Sequence, residues 1–148
     1  MRLTCLIPEN FHALVKDAEI NCIDFVAYRS LPDAWNIAED KSPDIFISHP
    51  EDDYSAVLDM LGAFRVICPN ALHIHIYENR TAEELIDLVN KSYAVRLLPL
   101  DKVEQGLLQC CSDVVDIFER MGLQHLELAR LKEENEQFEF MLRQSLLS

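Results

Sequence analysis

Residues 42–50 read Ser42-Pro43-Asp44-Ile45-Phe46-Ile47-Ser48-His49-Pro50. A proline stop opens the stretch, a short apolar run without polar alternation follows, and a second proline closes it. A strand exposed on one side alternates apolar and polar residues. A run like 44–48 (DIFIS) is instead buried on both faces, which is the signature of a parallel strand inside a layered α/β domain.

The chain on either side repeats this logic. Residues 2–7 (RLTCLI) predict a first strand stopped by Pro8-Glu9-Asn10, and Phe11, Leu14, Val15 and Ala18 then recur at helical spacing. Residues 22–28 (CIDFVAY) give the second strand, and Ser30 with Asp33 starts a helix carrying Trp35, Ile37 and Ala38. After the third strand, the acidic loop of Glu51, Asp52 and Asp53 leads to a helix with Val57, Leu58, Leu61 and Phe64. Residues 72–77 (LHIHIY) are the fourth strand, Thr81 with Glu84 forms a capping box, and Leu85, Leu88 and Val89 make the helix face behind it. Residues 94–98 (AVRLL) are the fifth strand. Asp101 with Glu104 opens a last helix whose Leu107, Leu108, Cys111, Val114, Val115 and Phe118 should lie on the sheet. Strands alternating with helices imply right-handed crossovers and a parallel sheet covered on both faces. For five strands the expected solution is the flavodoxin-like order 2-1-3-4-5.

Composition narrows the function classes. The chain has 148 residues, 49% of them hydrophobic, and a net charge of −13, as for an ordinary folded domain. Such a charge argues against nucleic acid, since phosphate binding needs a positive field. No apolar run is long enough for a membrane span and no signal peptide is evident, so no membrane insertion is expected. Cys5, Cys22, Cys68, Cys110 and Cys111 are odd in number and lack metal spacing, which suits the cytoplasm. Gly62, Gly106 and Gly122 are the only glycines, too few for a phosphate-cradling loop. No nucleophile elbow appears, and the expectation is a protein that is not an enzyme and carries no cofactor or metal. His73 and His75 share one face of a strand, but without a third ligand they read as buried or edge histidines.

The last third carries a seven-residue repeat. One core set (a) is Val114, Met121, Leu128, Asn135 and Leu142; its companion (d) is Ile117, Gln124, Leu131, Phe138 and Ser145. This pattern predicts a parallel coiled-coil homodimer over the extension 121–148, with Asn135 fixing register, joined to a body at 1–120. Across such a pair Glu127 would attract Lys132, Glu134 would repel Glu139, and Arg120 would meet His125. Leu123 and Leu126 lie off the stripe just after Gly122 and locally suit a helix folded onto its own domain.

Three stretches of the body together resemble a response-regulator receiver domain. Ser42 through Ile47 is similar to the approach to that family's phosphoacceptor, and Cys68-Pro69-Asn70-Ala71-Leu72-His73-Ile74 to the approach to its fourth strand. Tyr93 through Asp101 (YAVRLLPLD) resembles one version of its fifth-strand end. The resemblance implies a site at the carboxyl ends of the strands: two acids holding Mg²⁺, an acceptor Asp, a Thr or Ser, and a Lys. Carried over, the acid pair falls on Ile7 and Pro8 with Glu9 beside them, and the acceptor on His49, or on Ser48 one register earlier. The hydroxyl falls on Tyr77, the Lys on Leu98 and the switch aromatic on Val95. The acids, acceptor and Lys are gone, and His49 reads more readily as a hydrogen-bonded loop residue than as a phosphate acceptor. The resemblance therefore implies a pseudo-receiver without phosphorylation chemistry, whose final helix relays the state of a protein partner or of assembly to a C-terminal output domain. Receivers with a similar ending precede cyclic-dinucleotide enzymes. The alternatives are a receiver still switched by phosphate or a small ligand, and a purely structural dimerisation adaptor.

Overall fold

The computed structural model describes residues 2–16, 22–49, 53–91 and 95–147; of 123–129, 146 and 147 it describes the backbone only. Five strands, β1 (Leu3–Pro8), β2 (Ile23–Tyr28), β3 (Ile45–Ser48), β4 (Leu72–Tyr77) and β5 (Arg96–Pro99), form one sheet. All its pairings are parallel, in the order β2-β1-β3-β4-β5. Among the described residues four helices lie between the strands, α1 (Glu9–Lys16), α2 (Leu31–Lys41), α3 (Tyr54–Ile67) and α4 (Ala82–Asn90), and α5 (Val103–Leu147) follows the last. The doubly wound fold expected from the strand runs is the one adopted.

The β3 stretch forms the sheet centre as its composition requires. Ile45, Phe46, Ile47 and Ser48 are all buried, with β1 on one side and β4 on the other. Asp44 sets the entry: its side chain accepts the Thr4 N–H at 2.9 Å, and its carbonyl accepts the Leu72 N–H at 2.8 Å. Phe46 stacks on Phe64 of α3 at 4.2 Å between ring centres and on Tyr28 at 5.7 Å. Leu6, Ala34, Ala38, Val57, Leu61 and Leu88 complete that layer. Burying a side chain as large as Phe46 contributes about 2–3 kcal/mol, so this aromatic stack fixes where α2 and α3 sit. By strand alternation Cys5, Ile7, Ile45 and Ile47 face the other way, towards the side where Phe11, Val15, Leu107 and Cys111 are buried.

The helix signals hold at α2 and α4. Ser30 accepts the Asp33 N–H at 3.3 Å, and Thr81 and Glu84 form the reciprocal capping box. Boundaries shift elsewhere. Pro8 does not stop the first strand but ends it as a paired residue opposite Tyr28, and Glu9 and Asn10 already belong to α1. Proline is tolerated there because it sits at the strand terminus and opens straight into a helix. Asp101 lies in a short 3₁₀ turn (Leu100–Lys102), so α5 begins at Val103. Leu108 is exposed rather than on the sheet, because Val103, Leu107 and Cys111 already form the buried stripe and position 108 is turned about 100° from 107. Ala18 and Ala94, assigned to a helix and a strand from sequence, lie outside the described residues.

The chain divides into two compact units, Met1–Ser112 and Asp113–Ser148. Among the described residues, no helix is long and apolar enough to cross a membrane.

Candidate functional site at the carboxyl edge of the sheet

In an open doubly wound sheet, ligands bind beyond the carboxyl ends of the strands, where neighbouring strands diverge. At that edge β1 runs directly into α1, β2 turns through Arg29 and Ser30 into α2, and β3 ends at Ser48 with His49 beyond it. These segments enclose a cleft of about 520 Å³ lined by Pro8, Glu9, Asn10, Tyr28, Arg29, Leu31 and His49, among others. The Glu9 carboxylate lies 3.6 Å from the Arg29 guanidinium, both well exposed. The His49 ring lies 5.6 Å from that of Phe11 in α1, tilted by 30°.

The expected positions divide into three groups. Pro8, Glu9 and His49 meet in this cleft. Tyr77 ends β4 and lines a separate cleft of about 240 Å³ with Glu78, Asn79, Arg80 and Pro99. Ile7 and Leu98 are core residues, 0% and 6% exposed, and line neither cleft. Leu98 occupies space that α5 leaves open: a Cβ at Gly106 would stand 2.8 Å from Leu98 Cδ1. The glycine thus lets an apolar side chain fill the position where the resemblance places a lysine.

The second acceptor candidate is closed off. Ser48 is 3% exposed, and its Oγ lies 2.6 Å from His75 Nδ1 on the neighbouring strand, the register placing the two side by side. Sequence reading missed this pair, since it depends on the β3–β4 register; the alternating histidines were its only trace. Burial lowers the His75 pKa from 6.5 to about 4, with the Arg80 charge adding to the effect. Burial, and secondly the charge of Arg65, likewise lowers that of His73 to about 4. Both histidines are therefore neutral at pH 7. Ser48→Ala is expected to lower stability by about 1–3 kcal/mol, because it strands a buried imidazole nitrogen. Urea unfolding at pH 7 followed by Trp35 fluorescence measures it.

The groups at this edge do not fit a receiver's Mg²⁺. The positions that the resemblance gives to the acids are an aliphatic core residue and a proline, and Glu9 faces a guanidinium; a hard divalent cation needs several oxygen ligands free of competing cations. Among the described residues no three His, Cys, Asp or Glu side chains are grouped to hold a metal. Glu51 and Asp52 of the acidic loop lie outside the described residues.

No family model matches the sequence, and no curated protein matches it. Solved structures do. A response regulator from Thermotoga maritima aligns with a TM-score of 0.64 at 12% identity, over 78% of this chain and 99% of that one. A CheY-like response regulator receiver domain protein from Methanospirillum hungatei JF-1 aligns with a TM-score of 0.63 at 12% identity, over 82% and 99%. The fold is that of a response-regulator receiver domain. The same receiver fold is found in the pilus assembly protein CpaE from Caulobacter crescentus CB15, with a TM-score of 0.62 at 12% identity over 76% and 99%. At 12% identity these likenesses are of fold, and the chemistry of the receiver edge rests on the side chains themselves.

The expected dimer positions lie on α5. Val114 is buried. Ile117 and Met121 are half-buried, whereas Leu131, Asn135, Phe138 and Leu142 are exposed. Leu128 and Gln124, together with Leu123, His125, Leu126 and Glu127, fall where side chains are outside the description.

Proposed function

We propose that this chain is a pseudo-receiver: a signalling domain on a receiver scaffold that works without phosphorylation and dimerises through the distal part of α5. The observation carrying this reading is the carboxyl edge of the sheet. Ile7 and Pro8 stand at the acid positions, half-buried His49 and hydrogen-bonded Ser48 at the acceptor position, and Leu98 at the lysine position. An acyl phosphate needs a carboxylate to form and a cation to pair with once formed, and neither is present at those positions. The exposed stripe of Leu131, Phe138 and Leu142 supports assembly, because large apolar residues spaced seven and four apart line one helix face and suit a second helix.

The mechanism is positional. A protein partner on the body, or assembly itself, sets the register of the paired helices, and the register biases an output module such as a cyclic-dinucleotide enzyme. The chain is not an enzyme itself, and it acts in the cytoplasm. A two-state helix pair needs only a few kcal/mol of bias to change its population from one state to the other.

Acetyl phosphate or beryllofluoride with Mg²⁺ is expected to leave Trp35 fluorescence unchanged. The indole is a sensitive reporter, since it donates to Glu39 at 2.6 Å and meets the Phe64 ring edge-on at 6.0 Å, one step from Phe46 in the sheet. A saturable, Mg²⁺-dependent change would overturn phosphorylation independence. The cleft of Glu9, Arg29 and His49 favours a second reading, a domain switched by a small ligand, which a response to metabolites without Mg²⁺ would support.

A further inference from the structure

Two cysteines distant in sequence meet in the core. Cys5 lies on β1, between β2 and β3, and Cys111 lies on the buried stripe of α5 with Val103 and Leu107. Both are 0% exposed, and both carry a free thiol. The two side chains come together between the sheet and α5, the Cys111 thiol within hydrogen-bonding reach of the Cys5 sulfur. The other cysteines are placed differently. Cys68 packs in the opposite layer with Phe46 and Phe64, and Cys22 stands just before β2. Cys110 is turned about 100° around α5 from Cys111.

We infer that Cys5 and Cys111 are an oxidative modification site, at which peroxide joins them in one disulfide tying the base of α5 to the sheet. The steps balance with hydrogen peroxide as the oxidant. One thiol takes an oxygen atom from the peroxide and becomes a sulfenic acid, and water leaves. The second thiol attacks that sulfur, the S–O bond breaks, a second water leaves and the disulfide forms. The first step adds a single oxygen atom, so α5 can settle back over β1 before the second. Burial, and after it the Cys111 thiol, holds the Cys5 thiol well above its ordinary pKa. The thiolate is the reactive form, so the closed fold shields the pair, and oxidation starts when the first turns of α5 lift from the sheet. The bond then closes a loop from residue 5 to residue 111, and cross-links over long loops restrict the unfolded chain most. The inference does not depend on the proposed dimer, since both cysteines lie within the unit Met1–Ser112.

The test exposes the full chain to hydrogen peroxide at pH 7, blocks the remaining thiols in denaturant, and maps disulfides by mass spectrometry without reduction. A Cys5–Cys111 linkage is expected to dominate, to be absent in Cys111→Ala and to persist in Cys110→Ala. Urea below the unfolding transition should speed its formation by about tenfold or more, because it favours the lifting of α5. The oxidised chain should unfold at a higher urea concentration than the reduced one, and dithiothreitol should abolish the difference. Oxidation of Cys22 and Cys110 with Cys5 and Cys111 still thiols, in urea as well as without it, would overturn the inference. Pairing of either residue with another cysteine would do the same, as would conversion to sulfinic acid without linkage. A linkage that appears only in the fully unfolded chain would also overturn it, because the native contact would then have no part in it.

Discussion

Stability is expected to fall steeply as the pH is lowered from about 6.5 to about 4, by roughly 3 kcal/mol for each of His73 and His75. Both imidazoles have folded-state pKa values near 4, below the ordinary 6.5 that the unfolded chain restores. Within that window the unfolded chain takes up protons that the fold refuses, so its free energy falls and that of the fold does not. Above pH 6.5 both states are neutral and the effect vanishes; below about 4 it levels off. Two such losses are comparable to the whole stability of a small domain, so acid should unfold much of the population. The surface pairs do not mimic this. Asp24, held down by its hydrogen bonds from Arg2, and Asp87, held down by that from Tyr54, lose their pairing only at lower pH.

His73 separates this cause from others. Its ring is 2% exposed, meets Phe46 and Phe64 edge-on, and neither nitrogen has a hydrogen-bond partner among the described residues. His73→Leu should therefore add about 1 kcal/mol at pH 7, since it removes a buried polar group that has lost its water. It should also remove about half of the acid sensitivity. Chemical unfolding of both proteins at pH 7, 5.5 and 4.5 measures this; parallel losses in the two would place the acid sensitivity elsewhere.

Asn135→Leu is the second large effect. In a two-stranded pair the substitution replaces two amides in the seam by two apolar side chains, each contributing about 1.5–3 kcal/mol on burial. The proposed dimer is then expected to tighten by more than about tenfold, or to change to a higher order, because the seam Asn that would favour two strands is gone. Sedimentation equilibrium over a range of concentrations checks both. An unchanged assembly constant and stability would mean that the seam runs elsewhere on the helix.

The doubly wound fold was readable because its central strand is a short apolar run between prolines and because Ser30–Asp33 and Thr81–Glu84 are local capping signals. Tertiary context moved the details. Pro8 was read as a breaker yet pairs opposite Tyr28, since a strand end tolerates a residue that a strand interior does not. Leu108 was placed on the sheet, but the buried stripe of α5 is narrower than its apolar content. At the candidate site, the assignment of Ile7, Pro8 and Leu98 to receiver positions rests on the resemblance; that Ile7 and Leu98 are core residues is what the structure adds. The burial of Leu98 depends on its packing over Gly106, and the closure of Ser48 depends on His75 lying one strand away. Both are contacts between residues distant in sequence, which no local pattern encodes.

The most direct test of the proposed mechanism is the mass of the full chain in solution by light scattering, beside that of Leu131→Asp/Leu142→Asp. A carboxylate at two seam positions cannot be buried unpaired, so it breaks the pair while leaving the receiver body untouched. The proposed mechanism requires twice the 17.1 kDa chain mass for the native protein and a single chain mass for the variant. A native protein that stays monomeric at high concentration, or a variant that remains dimeric, would contradict it.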